Sequence, residues 1–495
     1  MMEKLETDDK VPFSGESEPL INENEIKTQG FKKGILIIVI SVIVILIAAS
    51  ILLYFLVFSK HNSSNNEPDT SDPDIEPDTD YNSIKGKYMI YFPTNLTQIF
   101  HYSYLDSIRS MKIDGNKVKI NNTQTFESEG YHIIQIYFKN NLASLDNFFF
   151  QVDTLEEVDF INLVTSEIKS ASDLFNGCEN LVKVTFNEHY EKITNISYLF
   201  ARCSSLKNIN ISAFENNSLL DISGLFYRCS SLQNIIFDKF NTNNVINMSY
   251  LFYECGSLET IDLNNFNTSN VIYMSNMFYG CSSLQSIDVN NFDTSKVIEM
   301  NGMFDGCSSI TYLSLRNFDT KNVIDMYFMF ADCSQLSSLN IKSFHTDKLE
   351  DMFGMFKGCK SLEEIDISHF ITTNVRDMSD LFGNCTSLKN VNLSNLTTTD
   401  NLEYIIGMFE SCSSLESLDM SNFNTENVVD ARYMLADCLS LKNIDFSNFD
   451  TQNLEEYEGI FNGLPSEGTI KYNSTKFKKE ILNLLPETWN KEIIN

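Results

Sequence analysis

All eleven cysteines of this 495-residue chain fall in one series: Cys178, Cys203, Cys229, Cys255, Cys281, Cys307, Cys333, Cys359, Cys385, Cys412 and Cys438. Their steps are 25, 26 (seven times), 27 and 26 residues. Thiols could form disulfides or hold a soft metal, and the spacing argues against both. Equivalent side chains on stacked coils point the same way, with Cβ atoms near the coil spacing, which is wider than a disulfide prefers. The count is odd and no CxxC pair exists. The register continues past both ends with Val152 and Leu464 at the cysteine place. Eleven buried free thiols packed as small hydrophobes are the expectation.

Other groups capable of chemistry are dispersed. His61, His101, His132, His189, His345 and His369 share no place in the repeat, and no GxSxG, HExxH or Gly-rich phosphate loop occurs. Neither catalysis nor a cofactor is expected. With 36 basic against 67 acidic side chains and a formal net charge of -31, the chain should repel nucleic acid, whose binding depends on cations neutralising phosphates.

The series rests on a repeated unit. From Cys281 it reads CSSLQSIDVNNFDTSKVIEMNGMFDG, with Leu284, Ile287, Val289, Phe292, Val297, Met300, Met303 and Phe304 as its apolar positions. Leu-x-x-Ile-x-Val alternates as a short strand does, whereas Val297, Met300, Met303, Phe304 and Cys307 recur as on one helical face. Each unit is therefore predicted as strand, turn and short helix. The fold class expected is an α/β solenoid, a leucine-rich-repeat-like array of about twelve 26-residue coils over 142–464, with Phe292 where that template has Asn. The methionines are expected in the core. A β-rich N-terminal cap is predicted over 86–141, and a C-terminal cap containing Trp489 over 465–495, since a solenoid must cover its open ends.

One strand position per coil should face outward: Asp262, Asp288, Ser314, Asn340, Asp366, Asn392, Asp419 and Asp445. This polar, acidic strip reads either as a recognition face for basic or carbohydrate ligands, with weak attraction for Ca2+, or as an ordinary solvated sheet face. Tyr312 should also face out.

Ahead of the array, residues 34–58 form a run without a charge, GILIIVISVIVILIAASILLYFLVF. At about 1.5 Å per residue it can cross a hydrocarbon core of about 30 Å. It is predicted as a single transmembrane signal anchor, integral to the membrane. Lys27, Lys32 and Lys33 precede it, while Lys60 stands alone until Lys85, so residues 1–33 are expected in the cytosol and the remainder outside. The acidic, Pro-containing stretch 59–85 reads as an extended stalk. Twelve sequons, at Asn62, Asn95, Asn121, Asn195, Asn210, Asn216, Asn247, Asn267, Asn384, Asn392, Asn395 and Asn473, all lie beyond the anchor. In the tail, Glu16, Leu20 and Ile21 fit E-x-x-x-L-I, which resembles the acidic dileucine signals read by clathrin adaptors.

The unit F-x-x-C-x-S-L-x-x-I-D-x-x-x-F-x-T-x-x-V resembles the BspA-like leucine-rich-repeat surface proteins of bacteria and mucosal protozoan parasites. The closing GTIKYN…PETW segment is similar to how such arrays end. The resemblance implies a cell-surface solenoid associated with adhesion to host cells or matrix proteins and with aggregation between cells, and it brings no catalytic residues. The expectation is a type II plasma-membrane protein, an adhesin or receptor for an extracellular protein or glycan. The alternatives are a glycosylated coat or endolysosomal membrane protein, and an endocytic receptor cycling through endosomes.

Overall fold

The computed structural model describes residues 81–187, 190–215, 218–394, 396 and 401–494. The predicted tail, anchor and most of the stalk lie outside them. Among the described residues no helix is long and apolar enough to cross a membrane.

The array is a β-solenoid of about twelve turns. A column of isolated parallel bridges runs unbroken from Ser144 through Asn247, Glu299 and Asp377 to Glu456, one residue per coil in twelve steps. On another side of each coil lie short parallel strands. Asn208–Asn210 pairs with Asn234–Ile236, Tyr312–Ser314 with Ser338–Asn340, Glu364–Asp366 with Asn390–Asn392, and Ser417–Asp419 with Asn443–Phe446.

The predicted short helices are absent from the array. Among the described residues, helix is confined to one turn at Lys479–Leu482 and a 3-10 segment at Tyr102–Ser107. An α-helix would return each N–H to the carbonyl four residues back. Here every second N–H leaves its coil: Met248, Tyr250, Phe252 and Glu254 donate to the carbonyls of Tyr273, Ser275, Met277 and Tyr279 at 2.6–3.0 Å. Between them Leu251, Tyr253 and Cys255 close three-residue turns onto Met248, Tyr250 and Phe252. Tyr250 and Glu254 carry φ of 61° and 53°, values that no right-handed helix contains. A run of tight turns thus reproduces the 3, 1, 3 apolar spacing, because it too places Met248, Leu251, Phe252 and Cys255 inside.

Three inner columns hold the coils together. Phenylalanines from Phe149 to Phe409 stack coil upon coil, with centroids 5.4–6.0 Å apart and planes within 18°, an arrangement that adds to simple burial. The second column is cysteine. Each thiol donates to the phenylalanine carbonyl of the preceding coil, as Cys281 does to Phe252 at 3.2 Å and Cys438 to Phe409 at 3.1 Å. All eleven are buried and free, as expected. The third column escaped the sequence reading. Thr242, Thr268, Thr294, Thr320, Thr346, Thr372, Thr425 and Thr451 are buried, and most clamp the next coil by hydrogen bonds in both directions. Thr320 donates to the His345 carbonyl at 2.7 Å and accepts the His345 N–H at 2.8 Å. The methionine column from Met248 to Met378 is fully buried, as is the phenylalanine column containing Phe292.

Both ends are closed. Ser83–Ile90 pairs antiparallel with Gly130–Phe138 on one edge and with Leu155–Asp159 on the other, and Leu155–Asp159 pairs parallel with Lys183–Thr185. The cap sheet therefore continues directly into the first coils, and its first strand starts at Ser83, inside the stretch expected to be stalk. At the far end Thr469–Asn473 joins Asn443–Phe446 and is covered by Asn490–Ile494. Trp489 is buried, donates to the Pro465 carbonyl at 2.8 Å, and lies against Gly468, where an added Cβ would fall 2.6 Å from its ring.

Candidate binding face

The outward residues fall in separate short ladders, and Asp262 and Asp288 lie in coils without an assigned strand. Ser314 lies opposite Asn340, Asp366 opposite Asn392, and Asp419 opposite Asp445, which in turn faces Lys471. Asp262, Asp288, Asp366, Asn392 and Asp419 are exposed, while Ser314, Asn340 and Asp445 are half-buried. Tyr312 points out, 56% exposed.

The strip also has a local task. In seven of the eight, one side-chain oxygen accepts the backbone N–H two residues on, at 2.9–3.4 Å: Asp262 from Asn264, Asp288 from Asn290, Asn340 from Lys342, Asp366 from Ser368, Asn392 from Ser394, Asp419 from Ser421 and Asp445 from Ser447. These are Asx turns, which bend the chain out of the strand and suit Asp and Asn alike. The Ser368 hydroxyl and N–H hold the Asp366 carboxyl below the usual carboxylate range, helped by His369 and Lys342. Two shallow depressions lie along the face. One of about 630 Å3 is lined by Asn340, Lys342, Asp366 and Asn392 among others, and one of about 350 Å3 by Asp419, Asp445 and Lys471.

A different acidic line was missed. Glu299, Asp325, Asp351 and Asp377 are successive members of the bridge column. Burial, with Asp351 and Glu299 alongside, pushes the Asp325 carboxyl up to about 6, and burial also raises Asp377. Nearby, burial and Asp332 raise Asp305 to about 7. The signal was present as acids at one place of the repeat, hidden by the acids in every other place.

Among the described residues no group of three or more His, Cys, Asp or Glu is placed to hold a metal ion. His132 is occupied by Asp114 at 2.7 Å and His369 by the Ile341 carbonyl at 3.1 Å. Burial pushes the thiols of Cys281, Cys385 and Cys438 up to about 12, away from nucleophilic behaviour. Of the sequons, Asn95, Asn121, Asn210, Asn267, Asn384 and Asn392 are exposed, and Asn195, Asn247 and Asn473 are half-buried and cap turns. Asn62, Asn216 and Asn395 lie outside the described residues, as do Glu16, Leu20 and Ile21.

Residues 143–255, 194–310, 281–395 and 363–473 match the family described as Mycoplasma protein of unknown function, DUF285. The chain belongs to that family. The family described as BspA type leucine-rich repeat region (6 copies) matches residues 81–195, so the expected resemblance is borne out, with its match on the cap and first coils. No curated protein matches the sequence. Similar solved structures include a leucine-rich repeat protein from Bacteroides ovatus, 17% identical over 76% of this chain and 90% of that one, with a TM-score of 0.42. A leucine rich cell surface protein from Faecalibacterium prausnitzii is 16% identical over 60% and 75%, with a TM-score of 0.34. A leucine-rich repeat protein from Eubacterium ventriosum is 18% identical over 63% and 83%, with a TM-score of 0.32.

Proposed function

We propose that this DUF285-family chain is a single-pass type II membrane protein whose array is held outside the cell and acts as an adhesin or ligand-binding receptor. Residues 34–58 are the anchor, 1–33 the cytosolic tail, and the stretch from 59 to the cap strand that starts at Ser83 the extended spacer. The observation that carries the reading is the aligned strip from Asp262 to Asp445. Each of its seven capping residues commits one oxygen to its own turn, and Asp262, Asp288, Asp366, Asn392 and Asp419 stay exposed. Such a face suits a partner presenting cations or hydrogen-bond donors, on a protein or a glycan. The exposed Asn95, Asn121, Asn210, Asn267, Asn384 and Asn392 are the positions proposed to carry glycans, and one on Asn392 would cover part of the strip.

A second reading is favoured by Glu16, Leu20 and Ile21: an endocytic receptor retrieved by clathrin adaptors. Staining intact cells with an antibody to the array, for the parent and the Leu20→Ala/Ile21→Ala variant, tests both. A strong surface signal unchanged by the substitution supports a resident adhesin. A weak signal that rises sharply in the variant supports the cycling receptor, and signal in both only after permeabilisation rejects surface display.

A further inference from the structure

A groove of about 570 Å3 lies on the turn side of the first coils, lined by Phe150, Gln151, Tyr198, Arg202, Tyr227 and Tyr250 among others. Its size falls within the range of about 300–1,000 Å3 common to ligand pockets.

The backbone here is that of the turn run in every coil; what differs is the side chains it carries. Gln151, Tyr198, Arg202 and Tyr250 have φ of 53–61°. The same two repeat positions are filled elsewhere by Gly224, Gly302 and Gly354, and by Gly177, Gly280 and Gly306, and in further coils by Asn276, Phe328 and Asp380, and by Glu254, Asp332 and Asn384, all at positive φ. Glycine adopts this region freely, whereas a bulky side chain there is an outlier.

Of the polar groups in the groove, Asn176 is engaged, donating to Asp173 at 2.8 Å. The hydroxyls of Tyr198, Tyr227 and Tyr250 and the guanidinium of Arg202 have no hydrogen-bond partner among the described residues, although Arg228 close by is paired with Glu254 at 3.0 Å. The rings are held ready. Tyr253 stacks on Tyr227 at 4.6 Å, and Tyr198 lies over Gly224, where an added Cβ would fall 2.3 Å from the ring. Tyr198 and Tyr227 are inclined at 59°, and Tyr227 and Tyr250 at 67°, so they form walls rather than a closed stack.

We propose that this groove binds an acidic saccharide. Sugar C–H faces would pack on the tyrosine rings, sugar hydroxyls would meet the phenols and Gln151, and the carboxylate would take charge-assisted hydrogen bonds from Arg202. A purely apolar ligand would leave those groups unpaired, and a groove whose lining holds one cation, Arg202, on a chain of net charge -31 does not suit a polyanion. The proposal rests on the reading of the array as an extracellular recognition scaffold and adds a site apart from the strand strip.

The test is calorimetric titration of the purified full chain with sialyllactose, with galacturonic acid, and with lactose as the uncharged control. Tyr198→Gly and Arg202→Gly are the informative variants, because glycine already fills both positions in other coils and the fold should persist, as circular dichroism would verify. An acidic saccharide should bind saturably, lactose about tenfold or more weakly, and each variant should lose about tenfold or more in affinity. A strip variant with Asp262, Asp288, Asp366, Asp419 and Asp445 changed to Asn should bind as the parent does. Absence of saturable binding by both acidic saccharides overturns the proposal. So does equal binding of lactose, unchanged binding in both glycine variants, or loss of binding in the strip variant. Failure of cell adhesion with saccharide binding intact would count against the adhesin reading alone.

Discussion

The thiol of Cys281 donates to the carbonyl of Phe252 on the preceding coil at 3.2 Å, directly beside the ring stack formed by Phe252 and Phe278. Repeated in every coil from Cys178 to Cys438, this contact gives each cysteine both a packing and a hydrogen-bonding role, with no need of a partner thiol. The eleven thiols should therefore stay unreactive towards a maleimide in the native chain and all become reactive on unfolding, with no change in thermal midpoint on adding reductant. Rapid labelling of the native array, or a fall in midpoint with reductant, would contradict this.

Thr320 is fully buried and satisfies both backbone groups of His345. Thr320→Val keeps the shape but leaves that N–H and carbonyl unpaired, at a cost of about 2–4 kcal/mol. Urea unfolding should show a matching fall in midpoint, and Thr320→Ser should lose less. Equal stability of Thr320→Val and the parent would show that the threonine ladder is not what joins these coils.

Gly354 has φ of 57°, and an added Cβ would lie 2.4 Å from the Phe328 ring. Gly256 has neither constraint, its nearest neighbour being the Ser282 hydroxyl oxygen at 3.5 Å. Gly354→Ala should destabilise by about 1–3 kcal/mol, and Gly256→Ala by much less. Comparable thermal midpoints for the two variants would refute the left-handed turn assigned to Gly354.

Asp305 and Asp325 are raised to about 7 and about 6, mainly by burial. The folded chain then holds these protons more tightly than the unfolded chain, whose Asp groups titrate near about 3.9. Stability should fall as pH rises from about 4 to about 7, and be recovered on acidification across that window. Partial exposure screens the effect, leaving about 1–2 kcal/mol. Carboxylates of the Asp366 kind, held low by Ser368, act oppositely only below about 4. Melting at pH 5 should occur at a higher temperature than at pH 7.5, and Asp325→Asn should reduce the difference; the reverse order would contradict these assignments.

The period and the core were legible because they follow from side-chain burial. Cysteine, phenylalanine and methionine recur at one interval, and Val152 and Leu464 extend it. The turn run was misread as helix because burial spacing does not report which carbonyl an N–H reaches, and residues such as Tyr198 and Phe328 carry no outward sign of the positive φ they adopt. Threonine normally marks a turn, so the buried ladder through Thr320 was invisible without the neighbouring coil. Asp366 and Asp419 are exposed, whereas Ser314, Asn340 and Asp445 are half-buried, and the turns that the Asp and Asn members cap depend on a backbone N–H two residues on, which a periodicity argument does not contain. The groove was not anticipated either: its tyrosines and Arg202 come from different coils and from positions that vary along the repeat.

The central claim is that the strand face recognises a partner, and it is tested most directly by adhesion of cells displaying the chain to a matrix-coated surface. The comparison is with Asp262→Asn, Asp288→Asn, Asp366→Asn, Asp419→Asn and Asp445→Asn combined. Asparagine already caps the same turn at Asn340 and Asn392, so this variant removes charge and keeps the fold. Saturable adhesion that drops about tenfold in the variant, at equal display and unchanged thermal midpoint, is the predicted result. Adhesion that is absent in the parent, or equal in the two, would contradict it.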